Sequence, residues 1–276
     1  QGLVFRVTLS KTNNTHSPIT FTMSRTGGTA AAGIDFTDFD GGTISVPDGS
    51  ATGDLVVDVA DDALFENTET VSGLIYNQSD PAIQVTSPRA TGDILDNDNT
   101  AGSISADLSV QTNGNEAGPV NIVYLVTLSK QNDTGSNVSF TITADGGTST
   151  PGSDFTDYGS AAISVPSGSS TGTFSVSVTN DSLFENTETA IAAISNASDP
   201  AVYVNTASAS ANIADNDNSG ITADLAVVRD GNEDGPVDII YRVTLSKINN
   251  TGSNITFDVD PTAGSATAGV DYTDFS

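Results

Sequence analysis

The feature that most constrains this chain is that its sequence repeats itself. Val7-Thr8-Leu9-Ser10-Lys11 returns at 126–130 and again at 243–247, so successive copies start 119 and then 117 residues apart. Asp35-Phe36-Thr37-Asp38-Phe39 returns at Asp154 and Asp271 with only Phe/Tyr exchanges, Leu64–Thr70 returns at 183–189, and Asp96-Asn97-Asp98-Asn99 returns at 215–218. That period is too long for a solenoid unit and suits one small domain repeated in tandem. The length difference lies between Asp98 and Ala106, eight positions apart, and Asp217 and Ala223, six apart. Linkers tolerate such changes, so the domain boundary belongs there. The expected organisation is a first repeat over 1–99 that lacks its N-terminal strand, a complete repeat over 100–218, and the N-terminal half of a third over 219–276. Both termini then fall inside repeats, as expected of a segment of a longer chain.

Within the complete repeat, Val138-Ser139-Phe140-Thr141-Ile142 and Phe174-Ser175-Val176-Ser177-Val178 alternate apolar and polar residues, the period of a half-buried antiparallel strand. Further strands are expected at 104–112, 120–129, 161–165, 189–195 and 202–214, separated by turn clusters such as Pro166-Ser167-Gly168-Ser169. Seven short strands in one domain of about 118 residues indicate an all-β, immunoglobulin-like, antiparallel two-sheet sandwich. A domain of that size can bury one modest core without disulfides, and the chain has no Cys.

Charge comes next. Asp and Glu number 35 against 8 Lys and Arg, a net charge of −27 over 276 residues. Nucleic acid and anionic membranes are poor partners for that field, no apolar run reaches the length of a membrane helix, and no signal peptide opens the chain. The acids are also placed. In an antiparallel sandwich every second loop returns to the same end, so the loops carrying Glu116, Asp154 with Asp157, and Asp181 with Glu185 and Glu188 share one pole with the closing Asp215-Asn216-Asp217. The opposite loops, 131–137, 166–172 and 197–200, hold only scattered acids. Seven or eight carboxylates at one pole repel one another unless cations intervene. Calcium, with its roughly 6 to 8 oxygen ligands at about 2.3 to 2.6 Å, suits such a cluster better than magnesium, which keeps its waters. With one His and no Cys, thiolate and imidazole sites are excluded. The same pole leads into the next repeat, which places the metal at the inter-repeat junction.

These residues resemble the Calx-beta repeat found in sodium/calcium exchangers, in an integrin β subunit and in large bacterial surface proteins. The matching pieces are Gly152-Ser153-Asp154-Phe155, the Ile163–Pro166 strand with its Gly-Ser turn, Asp181 to Glu188, and Ile213-Ala214-Asp215-Asn216-Asp217. The resemblance implies Ca2+ ligands at Glu116, Asp154, Asn180, Asp181, the Leu183 carbonyl, Glu185, Glu188, Asp215, Asn216 and Asp217. In the first repeat it implies Asp35, Asp61, Asp62, Leu64, Glu66, Glu69, Asp96, Asn97 and Asp98; in the third, Glu233 and Asp271. Asn stands at 180, 97 and 216 where some members of the family carry an acid, which removes charge from those sites.

Alternative readings of single features are weaker. Asp157 is as readily a turn cap as a ligand; Asp80-Pro81 and Asp199-Pro200 are turn formers. Gly168-Ser169-Ser170-Thr171-Gly172 matches a nucleophile-elbow pattern, but it is expected in a hairpin turn and its repeat has no His. Glu185 and Glu188 as a glycosidase pair lack an apolar pocket. His16 faces Gly135 and Gly252 at the matching positions and is expected to be exposed. Asn-x-Ser/Thr sequons begin at Asn13, Asn77, Asn132, Asn137, Asn196, Asn249 and Asn254; in a secretory chain of a eukaryote they would be glycan sites, mostly on loops.

The function expected is therefore non-enzymatic: a calcium-stiffened structural or adhesive segment of a large extracellular or cell-surface protein, such as a bacterial adhesin or appendage subunit. Its partners are neighbouring repeats of its own chain, with lateral association of chains into a fibre as a further arrangement. The competing expectation is a calcium-sensing module that regulates an attached transporter or receptor. A third is direct binding of a glycan or protein by the neutral loops.

Overall fold

The computed structural model describes residues 2–235 and 237–275, and among them every regular element is a β-strand. The complete repeat is a sandwich of β7 (Ile104–Thr112), β8 (Gly114–Asn115), β9 (Ile122–Asn132), β10 (Val138–Gly147), β11 (Ser160–Val165), β12 (Ser169–Val176), β13 (Glu188–Ser195), β14 (Val202–Thr206) and β15 (Ser208–Ala214). One sheet runs β11-β10-β13-β15-β8 and the other β12-β9-β7-β14. Period-two patterning decides what each strand buries: Ile122, Tyr124, Val126 and Leu128 of β9 face Val138, Phe140 and Ile142 of β10 and Ala190, Ala192 and Ile194 of β13 in one cluster. Tyr124 is 1% exposed, and its hydroxyl donates to the Ala190 carbonyl at 2.9 Å, so the phenol enters the core without an orphaned polar group.

The first repeat follows the same plan with β1 (Leu3–Thr8), β2 (Ile19–Gly28), β3 (Thr43–Val46), β4 (Thr52–Val57), β5 (Glu69–Tyr76) and β6 (Arg89–Ile94), in sheets β3-β2-β5-β6 and β1-β4 over its own core. Of the third repeat, β16 (Ala223–Arg229) pairs with β17 (Ile240–Leu245). An open groove there is lined by Val243, Leu245, Ile255 and Phe257, the counterparts of the core residues Val126, Leu128, Val138 and Phe140.

Two expectations about the strands are corrected. The segment 202–214 is not one strand. It breaks at Ala207, so that β14 runs parallel to β7 in one sheet and β15 pairs with β13 and β8 in the other. A chain that must edge both sheets has to switch sheets, and the apolar alternation changes phase there, from Val202 and Val204 to Ala207, Ala209, Ala211 and Ile213, a shift that the single-strand expectation passed over. The first strand divides the same way into β7 and β8. Second, the turn at Pro166–Ser169 closes no hairpin: β11 and β12 lie in different sheets, so Ser167–Gly168 is a corner between layers, Ser169–Gly172 already belong to β12, and the segment offers no nucleophile elbow. In the first repeat, residues 82–86 form no strand; β14, their counterpart, pairs only with β7, and no strand matching β7 lies beside them among the described residues.

Loop details follow local chemistry. Asp157 accepts from the Gly159 N–H at 2.9 Å, Asp80 from Ala82 at 2.9 Å and Asp199 from Ala201 at 2.9 Å, all Asx turns. His16 is exposed and takes φ 62°, the left-handed conformation that Gly135 and Gly252 hold at the matching positions.

Strand β10 bends at a bulge between Ala144 and Gly147. Gly146 and Gly147 have φ of 106° and 110°, but a Cβ on Gly147 would meet the Thr189 carbonyl oxygen at 2.0 Å while one on Gly146 meets nothing within 4 Å. Gly146→Ala therefore costs only backbone strain, about 1–3 kcal/mol, and Gly147→Ala costs more because β10 must leave β13. Urea denaturation of the two variants checks the order; equal losses would show that the contact with Thr189 is unimportant.

Candidate metal centre

The loops between β7 and β9, β10 and β11, and β12 and β13, with the exit from β15, meet at one pole. Carboxylate oxygens of three groups lie within 4.8 Å of one another there: Glu116 with Asp215 and Asp217, Glu116 with Asp181 and Glu185, and Asp154 with Glu185 and Glu188. Glu116 and Glu185 each belong to two groups, so the three form a continuous row. Local folding places them. The Asp154 carboxylate accepts the Thr150 N–H at 2.5 Å, Asp181 that of Leu183 at 2.8 Å, and Asp215 that of Asp217 at 2.9 Å. Each acid thus fixes its own loop with one oxygen and presents the other. Glu188 opens β13 opposite Ile213.

The row is costly as it stands. Glu116 is 2% exposed, Glu185 3% and Asp154 5%, and Glu116 Oε2 and Asp215 Oδ2 are buried without a hydrogen-bond partner. Burial, with Asp181, Asp215 and Glu185 adding to it, pushes the Glu116 carboxyl up to about 7 against a single lowering contact from the Asn216 backbone. Burial, then a hydrogen bond to Asp154 and its charge, pushes Glu188 up to about 8. Glu185 is raised by burial and by Asp154, Asp181 and Asp215, although the Asn250 amide donates to it. Buried acceptor oxygens with no donor, in a row of like charges, are the donor set a hard divalent cation requires.

The first repeat has one such group, Asp35 with Asp62 and Glu66. It lines a recess of about 30 Å3 with Asp61, Glu69, Asp96 and Asn97, water-sized and large enough for one ion. Burial and then Asp35 and Asp62 raise Glu66 to about 7; burial and then Asp35 raise Glu69 to about 7. Asp96 binds the Glu66 and Asp98 N–H groups, at 3.1 and 2.8 Å.

Other expected ligands are placed differently. Asn180 Oδ1 accepts from Asn216 Nδ2 at 2.9 Å, and Asp61 Oδ1 from Asn97 Nδ2 at 3.0 Å, so these pairs stand at the exposed rim bonded to each other. Leu64 and Leu183 are half-buried at the loop bends, their N–H groups taken by Asp62 and Asp181. In the third repeat Glu233 and Asp271 are exposed and join no acidic group among the described residues; Asp271 caps the Thr267 N–H at 2.7 Å. In the second repeat the loops that complete the row around the matching Glu116 and Asp154 come from strands β12 to β15.

Sequence reasoning missed the lysines. Lys130 of the second repeat pairs with Asp98 of the first, and Lys247 of the third with Asp217 of the second at 2.5 Å. Both close the repeated Val-Thr-Leu-Ser-Lys motif, and a lone cation recurring in so acidic a sequence was the available signal.

A tandem of all-β sandwiches with an acidic pole facing the next repeat is the class of protein defined by fold and site. The Calx-beta domain model matches residues 1–99 and 97–217, and the chain belongs to that family. Among solved structures it is similar to "Crystal structure of CBD12 from CALX1.2" (16% identity, 77% of this chain and 93% of that chain, TM-score 0.33) and to "Crystal structure of calcium binding domain CBD12 of CALX1.1" (15%, 77% and 93%, 0.31). It is also similar to "Crystal structure of Apo-form Calx CBD1 domain" (21%, 41% and 98%, 0.33). Comparison with curated proteins finds no match.

The raised carboxyls set the sign of the pH dependence without metal. A folded-state value above the ordinary 4.5 means the fold holds these protons more tightly than the unfolded chain, so their stabilisation is full below pH 4.5 and is lost as pH rises toward about 8. In chelator, the melting temperature of the complete repeat falls between pH 5 and 8, and calcium abolishes that fall; a chelator melt that rises over this window contradicts the assignment.

Proposed function

We propose that the chain is a calcium-stiffened spacer of an extracellular or cell-surface protein, in which ions at the acidic pole of each repeat hold it rigidly against the next. The observation that carries this reading is the row of carboxylates with orphaned buried oxygens at Glu116 and Asp215, in a chain of the Calx-beta family. Glu116, Asp154, Asp181, Glu185, Glu188, Asp215 and Asp217 would hold the ions in the second repeat, and Asp35, Asp62, Glu66, Glu69 and Asp96 in the first. The ion supplies charge neutralisation and a cross-link among four loops; no reaction is involved. Asp98 and Asp217 also hold the neighbouring repeat's lysine, which favours a structural role between repeats. In series, each repeat would advance the chain by roughly 40 Å, from strands of about 8 residues plus loops.

Calorimetric titration of calcium into the chain, with melts in calcium and in chelator, tests this. Saturable binding is expected, with a rise of about 10 °C when calcium exceeds its dissociation constant about 100-fold. Glu116→Gln removes one bridging charge and weakens binding in the second repeat by about tenfold or more, whereas Asn180→Asp, which restores the acid found at Asp61, strengthens it. No heat and superimposable melts would end the metal reading.

A further inference from the structure

Phe65 belongs to the first repeat by sequence, yet it is absent from that repeat's core. It is 1% exposed and is buried in the cluster of the second repeat, with Ile104, Leu128 and Val138 among its members. Its backbone is locked there. The Phe65 N–H donates to the Gln131 carbonyl at 2.9 Å, its carbonyl accepts the Asp133 N–H at 2.8 Å, and Asn67 Nδ2 donates to the Thr134 carbonyl at 2.8 Å.

The receiving loop is built for this. Asn132, fully buried, donates to the Ser136 and Val165 carbonyls at 2.8 and 3.1 Å and accepts the Thr134 hydroxyl at 2.8 Å. Asn13 makes the same bonds to Ser17, Val46 and Thr15 in the first repeat, where no Phe is seated, so the loop is formed in advance. The Asn-x-Thr at 13, 132 and 249 is therefore a structural staple, and Asn13 and Asn132, at 3% and 0% exposed, cannot accept a glycan in the folded chain. At the next junction the contact recurs: Phe184 pairs with Ile248 and Asn250 at 3.0 and 2.8 Å, and Asn186 with Thr251 at 3.0 Å.

We infer that the Asn-x-Thr loop at the head of each repeat is a socket for the Leu-Phe-Glu-Asn loop of the repeat before it, and that the inserted Phe completes the following repeat's core. Each repeat then depends for stability on its N-terminal neighbour. The loop 131–136 is occupied by the preceding repeat, so it is not a free surface for a glycan or another protein. The contacts are an apolar side chain, backbone hydrogen bonds and an uncharged Asn amide, none of which needs an ion, so this stands apart from the calcium reading.

The test is hydrogen exchange, read by mass spectrometry, of the full chain in chelator. Phe65→Ala is expected to speed exchange in β7, β9 and β14 by about 100-fold or more, while β2 and β5 keep their rates; Phe65→Leu falls between. Phe184→Ala, the same change one repeat later, leaves β7 and β9 unaltered. Exchange that changes only around residues 61–69, or that responds equally to Phe184→Ala, would overturn the inference, because the Phe would then serve its own repeat.

Discussion

The constraint on which this molecule turns is like charge held close together. Carboxylate oxygens within 4.8 Å of one another repel by about 3 kcal/mol per pair at an effective dielectric of about 20. Several such contacts rival the whole stability of a small domain. The architecture nevertheless delivers four acidic segments to one pole, fixes three of them with carboxylate-to-backbone hydrogen bonds, and buries Glu116, Asp154 and Glu185. Protons relieve the strain only partly, at Glu188 and Glu69, whose carboxyls burial and then their acidic neighbours push up to about 8 and about 7. A divalent cation would relieve it further and would use the orphaned oxygens of Glu116 and Asp215. The pole is thus a strained arrangement in the sense of stored repulsion, stable because the sandwich over-determines where the loops go.

Much of this was legible in the sequence. Period-two runs located the strands, and parity alone assigned the acidic loops to one end, because it follows from counting antiparallel strands and needs no geometry. Acid spacing within a loop was less informative: Asp154 and Asp157 look alike on paper, yet one is buried in the row and the other caps Gly159 at the surface. The sheet switch at Ala207 left only a faint mark, a one-residue phase shift from Val202 and Val204 to Ala209, Ala211 and Ile213, because both halves keep an alternating apolar face. Phe65 drew no reading of its own from the sequence. Local sequence ties it to the acids beside it, and only a long-range contact across sixty-odd residues shows that the aromatic ring serves the neighbour.

The same repeated motifs carry two kinds of information at once. Leu-Phe-Glu-Asn supplies a carboxylate to its own pole and an aromatic ring to the next repeat, through adjacent side chains that point opposite ways. Val-Thr-Leu-Ser-Lys supplies a core strand, in β9, and a cation that meets Asp98 or Asp217 of the repeat before. Because neighbours in sequence serve different domains, the loop cannot shift for one purpose without disturbing the other.

Polarity follows from that division. Both described junctions set an acidic pole against a head that carries Lys and a backbone socket, a heterologous rather than a self-complementary contact. Two acidic poles brought together would repel and would find no socket. Two heads would find no Phe. The arrangement therefore selects head-to-tail order by exclusion as much as by attraction, and it does so with few lysines: in a chain with so large a negative charge, Lys130 and Lys247 are placed at the two points where a cation decides which ends meet.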